Sequence, residues 1–140
     1  MIAQAISDLY TKLQAIPALA TGVGLVIGGQ EPDPGMTKVA LPAAWVVHDG
    51  AVNTQLITNP FPPTIPTVHM GYDVLLLVAY TSQQDLINNQ LPLVEAVITA
   101  IHGTVGPSGQ RWYWKAHKLQ RLNASRLGYR IQFVLDSILT

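Results

Sequence analysis

The stretch Val68-His69-Met70-Gly71-Tyr72-Asp73-Val74-Leu75-Leu76-Leu77-Val78-Ala79-Tyr80-Thr81 decides the fold. Met70, Tyr72, Val74, Leu76, Val78 and Tyr80 recur at every second position, so an extended backbone puts them on one face. Leu75, Leu77 and Ala79 make the other face apolar too, which predicts a strand covered on both sides. The apolar run from Val74 to Tyr80 is far shorter than the ~20 residues a membrane-spanning helix requires.

On either side of this strand the periodicity changes to that of a helix. Ile87, Leu91, Val94, Ile98 and Ile101 are spaced four, three, four and three apart, with Leu93 and Val97 widening the stripe and Gly103 as the stop. Pro92 is tolerated only in a first turn, which places the firm start near Asn89 or Leu91 with Asn88 or Asn89 as cap. At the N-terminus Ile2, Ile6, Leu9, Leu13 and Ile16 repeat the same spacing, and Pro17 ends that helix.

Further strands are expected at Gly22 to Gly29, bounded by glycines, and at Leu41 to His48, with Asp49-Gly50 as a tight turn and a short return through Val52 to Ile57. Two loops are expected, at 28–40 and 58–67, the second holding four prolines between Asn59 and Pro66. Trp112 to Leu122 and Leu127 to Leu139 read as a hairpin turning at Asn123-Ala124-Ser125. In its second strand Leu127, Tyr129, Ile131, Phe133 and Leu135 face the core, Gly128, Arg130, Gln132 and Asp136 face out, and Val134 is the exception. The order is α-β-β-(β)-α-β-β over a single domain, 1–140. That order predicts an α+β fold, one mixed or mainly antiparallel sheet with two main helices packed on it.

The chain has 140 residues, 49% of them hydrophobic and 11% charged, and no cysteine. A chain of this length buries roughly 68–70% of its unfolded surface, enough for an unstapled core. Without cysteine, disulfides and thiolate metal sites are excluded. The N-terminal Met1-Ile2-Ala3-Gln4 lacks a basic segment and Asp8 interrupts any apolar run, so no secretory signal is expected and a cytoplasmic product is the default. Net charge is zero, but its distribution is polar: Met1 to Gln110 holds two basic and seven acidic residues, a net −5, and Arg111 to Thr140 six basic and one acidic, a net +5. Opposed poles suit head-to-tail association or a charged partner better than diffuse nucleic-acid binding.

The motifs of chemistry are sparse. His48, His69, His102 and His117 show no zinc spacing, with His102 read as a favourable cation at a helix C-terminus. No Gly-x-Ser-x-Gly elbow or Walker loop occurs, and Gly22-Val23-Gly24 with Gly28-Gly29 misses the dinucleotide spacing. Asp49, Asp73 and Asp136 could meet in space as acid/base partners, but nothing in their spacing brings them together. No enzymatic activity, cofactor or metal is expected.

The most distinctive patch is Arg111-Trp112-Tyr113-Trp114-Lys115-Ala116-His117-Lys118-Leu119-Gln120-Arg121. As a regular strand it puts Trp112, Trp114, Ala116 and Lys118 on one side and Tyr113, Lys115, His117 and Arg121 on the other. Three readings stand: an amphipathic edge strand with a wet cationic face, a protein contact surface built on Trp, Tyr and Arg, or a stacking platform for single-stranded nucleic acid. The interaction candidates are Arg111, Trp112, Trp114, Lys115, Lys118 and Arg121, with Glu31, Asp33 and Phe61 in the two loops.

Taken in order, the N-terminal amphipathic helix, the strand Leu41-Pro42-Ala43-Ala44-Trp45-Val46, the long apolar strand, the Leu-x-x-Val-x-x-Ile helix ending in His102-Gly103 and the C-terminal hairpin resemble small tail proteins of long-tailed bacteriophages. The chain looks like the tail terminator or tail-completion group, including the small tail protein family of Mu-like phages and prophages. The Pro-rich insertion at Asn59 to Pro66 and the pair Trp112 and Trp114 depart from that pattern. The resemblance implies a non-enzymatic virion protein of the tail or neck, assembled in the host cytoplasm. It implies a homo-oligomeric ring, usually of six, that caps the tail tube protein and joins it to the head-side connector or neck protein. No membrane is involved, and DNA meets the ring only by passing through its lumen. The alternatives are another neck or head-completion protein of the particle, or a small-ligand-binding α+β domain.

Overall fold

The computed structural model describes residues 2–20, 23–25, 41–53, 67–107, 109–121 and 124–138. Helix α1 (Ile2–Gln14) is followed by a 3-10 turn (Pro17–Leu19), strands β1 (Val23–Leu25), β2 (Ala43–Asn53) and β3 (Thr67–Ala79), helix α2 (Leu91–Ile101), and strands β4 (Trp112–Arg121) and β5 (Arg126–Ile138). The five strands form one mixed sheet in the order β1-β2-β3-β5-β4, with β1 parallel to β2 and every other pair antiparallel. The fold is α+β, with two main helices on one face of the sheet.

The long apolar strand is β3, and it sits at the centre of the sheet. Its even-numbered residues join Ala44 and Val46 of β2, alternate residues of β5 from Leu127 to Leu135, and Ile6, Leu9, Leu13, Leu93, Val94, Val97 and Ile101 of the helices in the main core. Its odd-numbered Leu75 and Leu77 form a second buried cluster with Ala43, Trp45 and Val47 on the opposite face. Both faces are covered, as the apolar second face of the sequence requires.

Strand β2 differs from expectation in length. Asp49-Gly50 is not a turn: β2 runs through it to Asn53, paired with β3 from Ala43↔Leu77 to Asn53↔Val68. The register shifts between His48 and Gly50, leaving Asp49 as the extra residue of a bulge, and Gly50 takes φ +151°, open to glycine alone. The thirteen residues of β3 offer partners on both sides of the dipeptide, and pairing overrides the local turn preference. The loops expected at 28–40 and 58–66 lie outside the described residues; Thr67 already belongs to β3.

The helices follow the apolar stripes with two shifts. In α1, Ile6, Leu9 and Leu13 are buried and Ile2 is exposed; the helix stops at Gln14, and Ile16 adopts extended backbone before Pro17. Ahead of α2, helical backbone begins at Gln83, earlier than expected, because Ser82 caps it by accepting from the Asp85 N–H at 3.1 Å. Neither Asn88 nor Asn89 is the cap. A π-helical turn, Leu86–Gln90, then leads into α2, with Pro92 in the first turn where its missing N–H is tolerated. The wider turn rotates the preceding residues, so Leu86 packs on the core while Ile87 and Leu91, both expected in the buried stripe, are exposed. Gly103, at φ +79°, ends the helix in the left-handed conformation that favours glycine.

Candidate interaction surface

Strand β4 is an edge strand, paired only with β5 among the described residues. Trp112 anchors it: the indole is fully buried in the main core, its ring meets Tyr72 edge-on at 5.3 Å, and its Nε1 donates to Asp8 of α1 at 2.8 Å. The outer backbone edge is satisfied as far as Trp114 by the segment after α2. Gly103 N–H donates to the Trp112 carbonyl at 2.8 Å, Trp112 N–H to the Thr104 carbonyl at 2.9 Å, and Trp114 N–H to His102 Nδ1 at 3.0 Å. Arg111 adds a guanidinium donation to the Gly103 carbonyl at 2.6 Å. His102, next to the end of α2, thus accepts at its Nδ1 from the β4 backbone.

Beyond Trp114 the edge is open. Trp114 pairs with Phe133 and Ala116 with Gln132, so Lys115 is the extra residue of a bulge. That one residue reverses the alternation predicted for a regular strand. Trp112, Trp114, His117, Leu119 and Arg121 now share the helix side of the sheet, opposite core residues Leu135, Phe133, Ile131, Tyr129 and Leu127, whereas Tyr113, Ala116, Lys118 and Gln120 share the other side. The expected grouping of Trp114 with Ala116 and Lys118, and of Tyr113 with His117 and Arg121, is corrected accordingly. Because hydrogen-bonding and non-bonding pairs alternate in an antiparallel ladder, the main-chain groups of His117, Leu119 and Arg121 point outward with no described partner.

Every residue of β4 after Trp112 is exposed. Tyr113 and Leu119 are each 51% exposed and Trp114 39%, high values for such large apolar groups. Trp114 stacks on His117 with ring centroids 5.5 Å apart, and the Arg121 guanidinium lies over the Tyr80 ring at 5.7 Å. Lys115, Lys118 and Arg121 pair with no carboxylate among the described residues. Of the sequence candidates, Trp114, Lys115, Lys118 and Arg121 thus come together on one open strand, Trp112 is its buried anchor, and Arg111 braces the segment beside it. Glu31, Asp33 and Phe61 lie outside the described residues.

Titratable groups elsewhere are held by structure. Asp73, 1% exposed, is ion-paired with Arg130 of β5 on the face away from the helices. The side chains of Asp49 and Asp136 are outside the description. Burial pushes the Tyr72 hydroxyl up to about 12 and raises Tyr129 as well. Hydrogen bonds from the Asn89 and Gln90 amides hold Asp85 below the usual carboxylate range. Among the described residues no three His, Cys, Asp or Glu side chains converge as a metal site, and no helix is long and apolar enough to cross a membrane. What sequence reading missed is the exposed flank of α2 with Ile87, Leu91 and Glu95; the signal was Pro92, which marks a disturbed helix start. No protein-family model matches the chain, and no curated protein is similar to it.

Proposed function

We propose that this chain is a structural protein of a long-tailed phage particle, a tail terminator that assembles with copies of itself into a ring, caps the tail tube and joins it to the head-side connector. The observation that carries the reading is the open half of β4. A strand exposed on both faces and along its outer edge, with Trp114, Leu119 and three cations that pair with no carboxylate among the described residues, is a contact surface in search of a partner. The cationic edge and the Lys115 bulge disfavour pairing of β4 with its own copy, because like charges directly opposite each other are destabilising. A partner must bring negative charge, and the segment Met1 to Gln110 carries a net −5. Such contacts between two unlike patches run head to tail and close into a ring when the rotation permits. The resemblance of the element order to small tail proteins supplies the place of that ring in the particle.

The test is native mass spectrometry of the purified chain with negative-stain imaging, beside assembly of a phage lacking the gene. A closed ring and tails of uncontrolled length are the expected results. A chain that stays monomeric, with normal tails formed in its absence, overturns the reading.

A further inference from the structure

The main core on the helix side takes residues from β2, β3 and β5 but only Trp112 from β4. Beyond Trp112, whose indole reaches Asp8 of α1, every side chain of the outer strand is exposed. The uncovered helix-side face of β4 carries Trp114, His117, Leu119 and Arg121. A second uncovered strip runs along the π-helical turn Leu86–Gln90 and on into α2. Ile87 (51% exposed), Leu91 (38%) and Glu95 follow one another at intervals of four and stand away from buried Leu93 and Val97.

These two strips are complementary. One offers large apolar side chains beside cations, the other large apolar side chains beside the exposed Glu95, and no Lys or Arg among the described residues pairs with Glu95. We propose that the Ile87–Leu91–Glu95 flank of α2 in one copy of the chain packs on the Trp114–Leu119–Arg121 face of β4 in the next. The neighbouring helix then completes the helical layer over the fifth strand. The contact joins two different patches, so each copy keeps one of each free for further neighbours, as a ring requires. This deepens the ring-forming part of the proposed function and rests on it.

The experiment uses the full chain and its variants Leu119→Glu, Leu91→Glu, Glu95→Arg, Arg121→Glu and the double variant Glu95→Arg/Arg121→Glu, compared by native mass spectrometry and sedimentation. All substituted side chains are exposed, and circular dichroism and melting curves check that each variant folds. Each single apolar-to-Glu variant is expected to raise the concentration for half-assembly about tenfold or more, in the manner of a central interface residue. Each charge reversal weakens assembly, and the double variant recovers it. Folded Leu119→Glu and Leu91→Glu variants that assemble like the wild type overturn the contact while leaving the ring itself standing. A wild-type chain that never self-associates overturns both. So does a monomer that instead retains labelled single-stranded DNA through Trp114 and Arg121, which assigns the strip to nucleic acid.

Discussion

The indole Nε1 of Trp112 donates a 2.8 Å hydrogen bond to Oδ2 of Asp8, joining the first helix to the edge strand across 104 positions of the chain. The same carboxylate oxygen is ion-paired with Lys12, whose ammonium also reaches the Val105 carbonyl at 3.2 Å. One acid thus ties α1 to β4 and to the segment that protects the start of its outer edge. Asp8→Ala leaves a buried indole N–H without its acceptor and is expected to cost about 1–3 kcal/mol in urea unfolding. Asp8→Asn keeps an acceptor and costs less.

Asp73 and Arg130 form an ion pair on the sheet face away from the helices, with the acid 1% exposed. Arg130→Ala removes a cation paired with a buried carboxylate and is expected to cost about 3–5 kcal/mol. The double variant Asp73→Leu/Arg130→Met removes both charges and costs less than Arg130→Ala alone. A double variant less stable than that single variant contradicts this account.

Tyr72 is fully buried, its hydroxyl facing the Met70 sulfur at 3.4 Å, and burial raises its ionisation from 10.0 to about 12. The folded pKa lies above the unfolded one, so the contribution is intact below pH 10 and is lost as pH rises towards 12, where the unfolded chain ionises first. Stability is expected to fall by about 1.4 kcal/mol per pH unit across that window, on the order of 2–3 kcal/mol in all. Tyr72→Phe removes this part of the slope. Tyr129 shifts in the same direction, so a smaller alkaline dependence survives in the variant.

His48 packs on Tyr72 with ring centroids 4.9 Å apart, and its Nδ1 is buried without a hydrogen-bond partner among the described residues. His48→Phe keeps an aromatic ring against Tyr72 and removes the unpaired nitrogen. Thermal and urea unfolding are expected to show a change between zero and a gain of about 1 kcal/mol. A loss beyond about 1 kcal/mol shows that the nitrogen is engaged in solution.

Much of this architecture is legible in the residues because it depends on periodicity. The apolar second face of β3, the alternation from Leu127 to Leu135 and the spacing of Ile6, Leu9 and Leu13 each follow from one element considered alone. The candidate surface was legible in composition, since tryptophans interleaved with lysines and arginines are conspicuous in a chain with 11% charged residues. Its orientation was not. Lys115 is bulged out by pairing with β5, and the phase of all later residues of β4 depends on that slip.

Composition and spacing by themselves determined that the chain is an α+β domain without cysteine chemistry, that its central strand is apolar on both faces, and that its two ends are opposite in charge. Tertiary structure alone decided that Asp49-Gly50 continues a strand, that Ile87 and Leu91 face water, and that Trp114 shares a side with Leu119 and Arg121. The reason is common to all three. Side-chain period is a local property, but a bulge or a π-turn displaces that period by a single residue, at an energy small enough for pairing and packing against distant segments to decide where it falls.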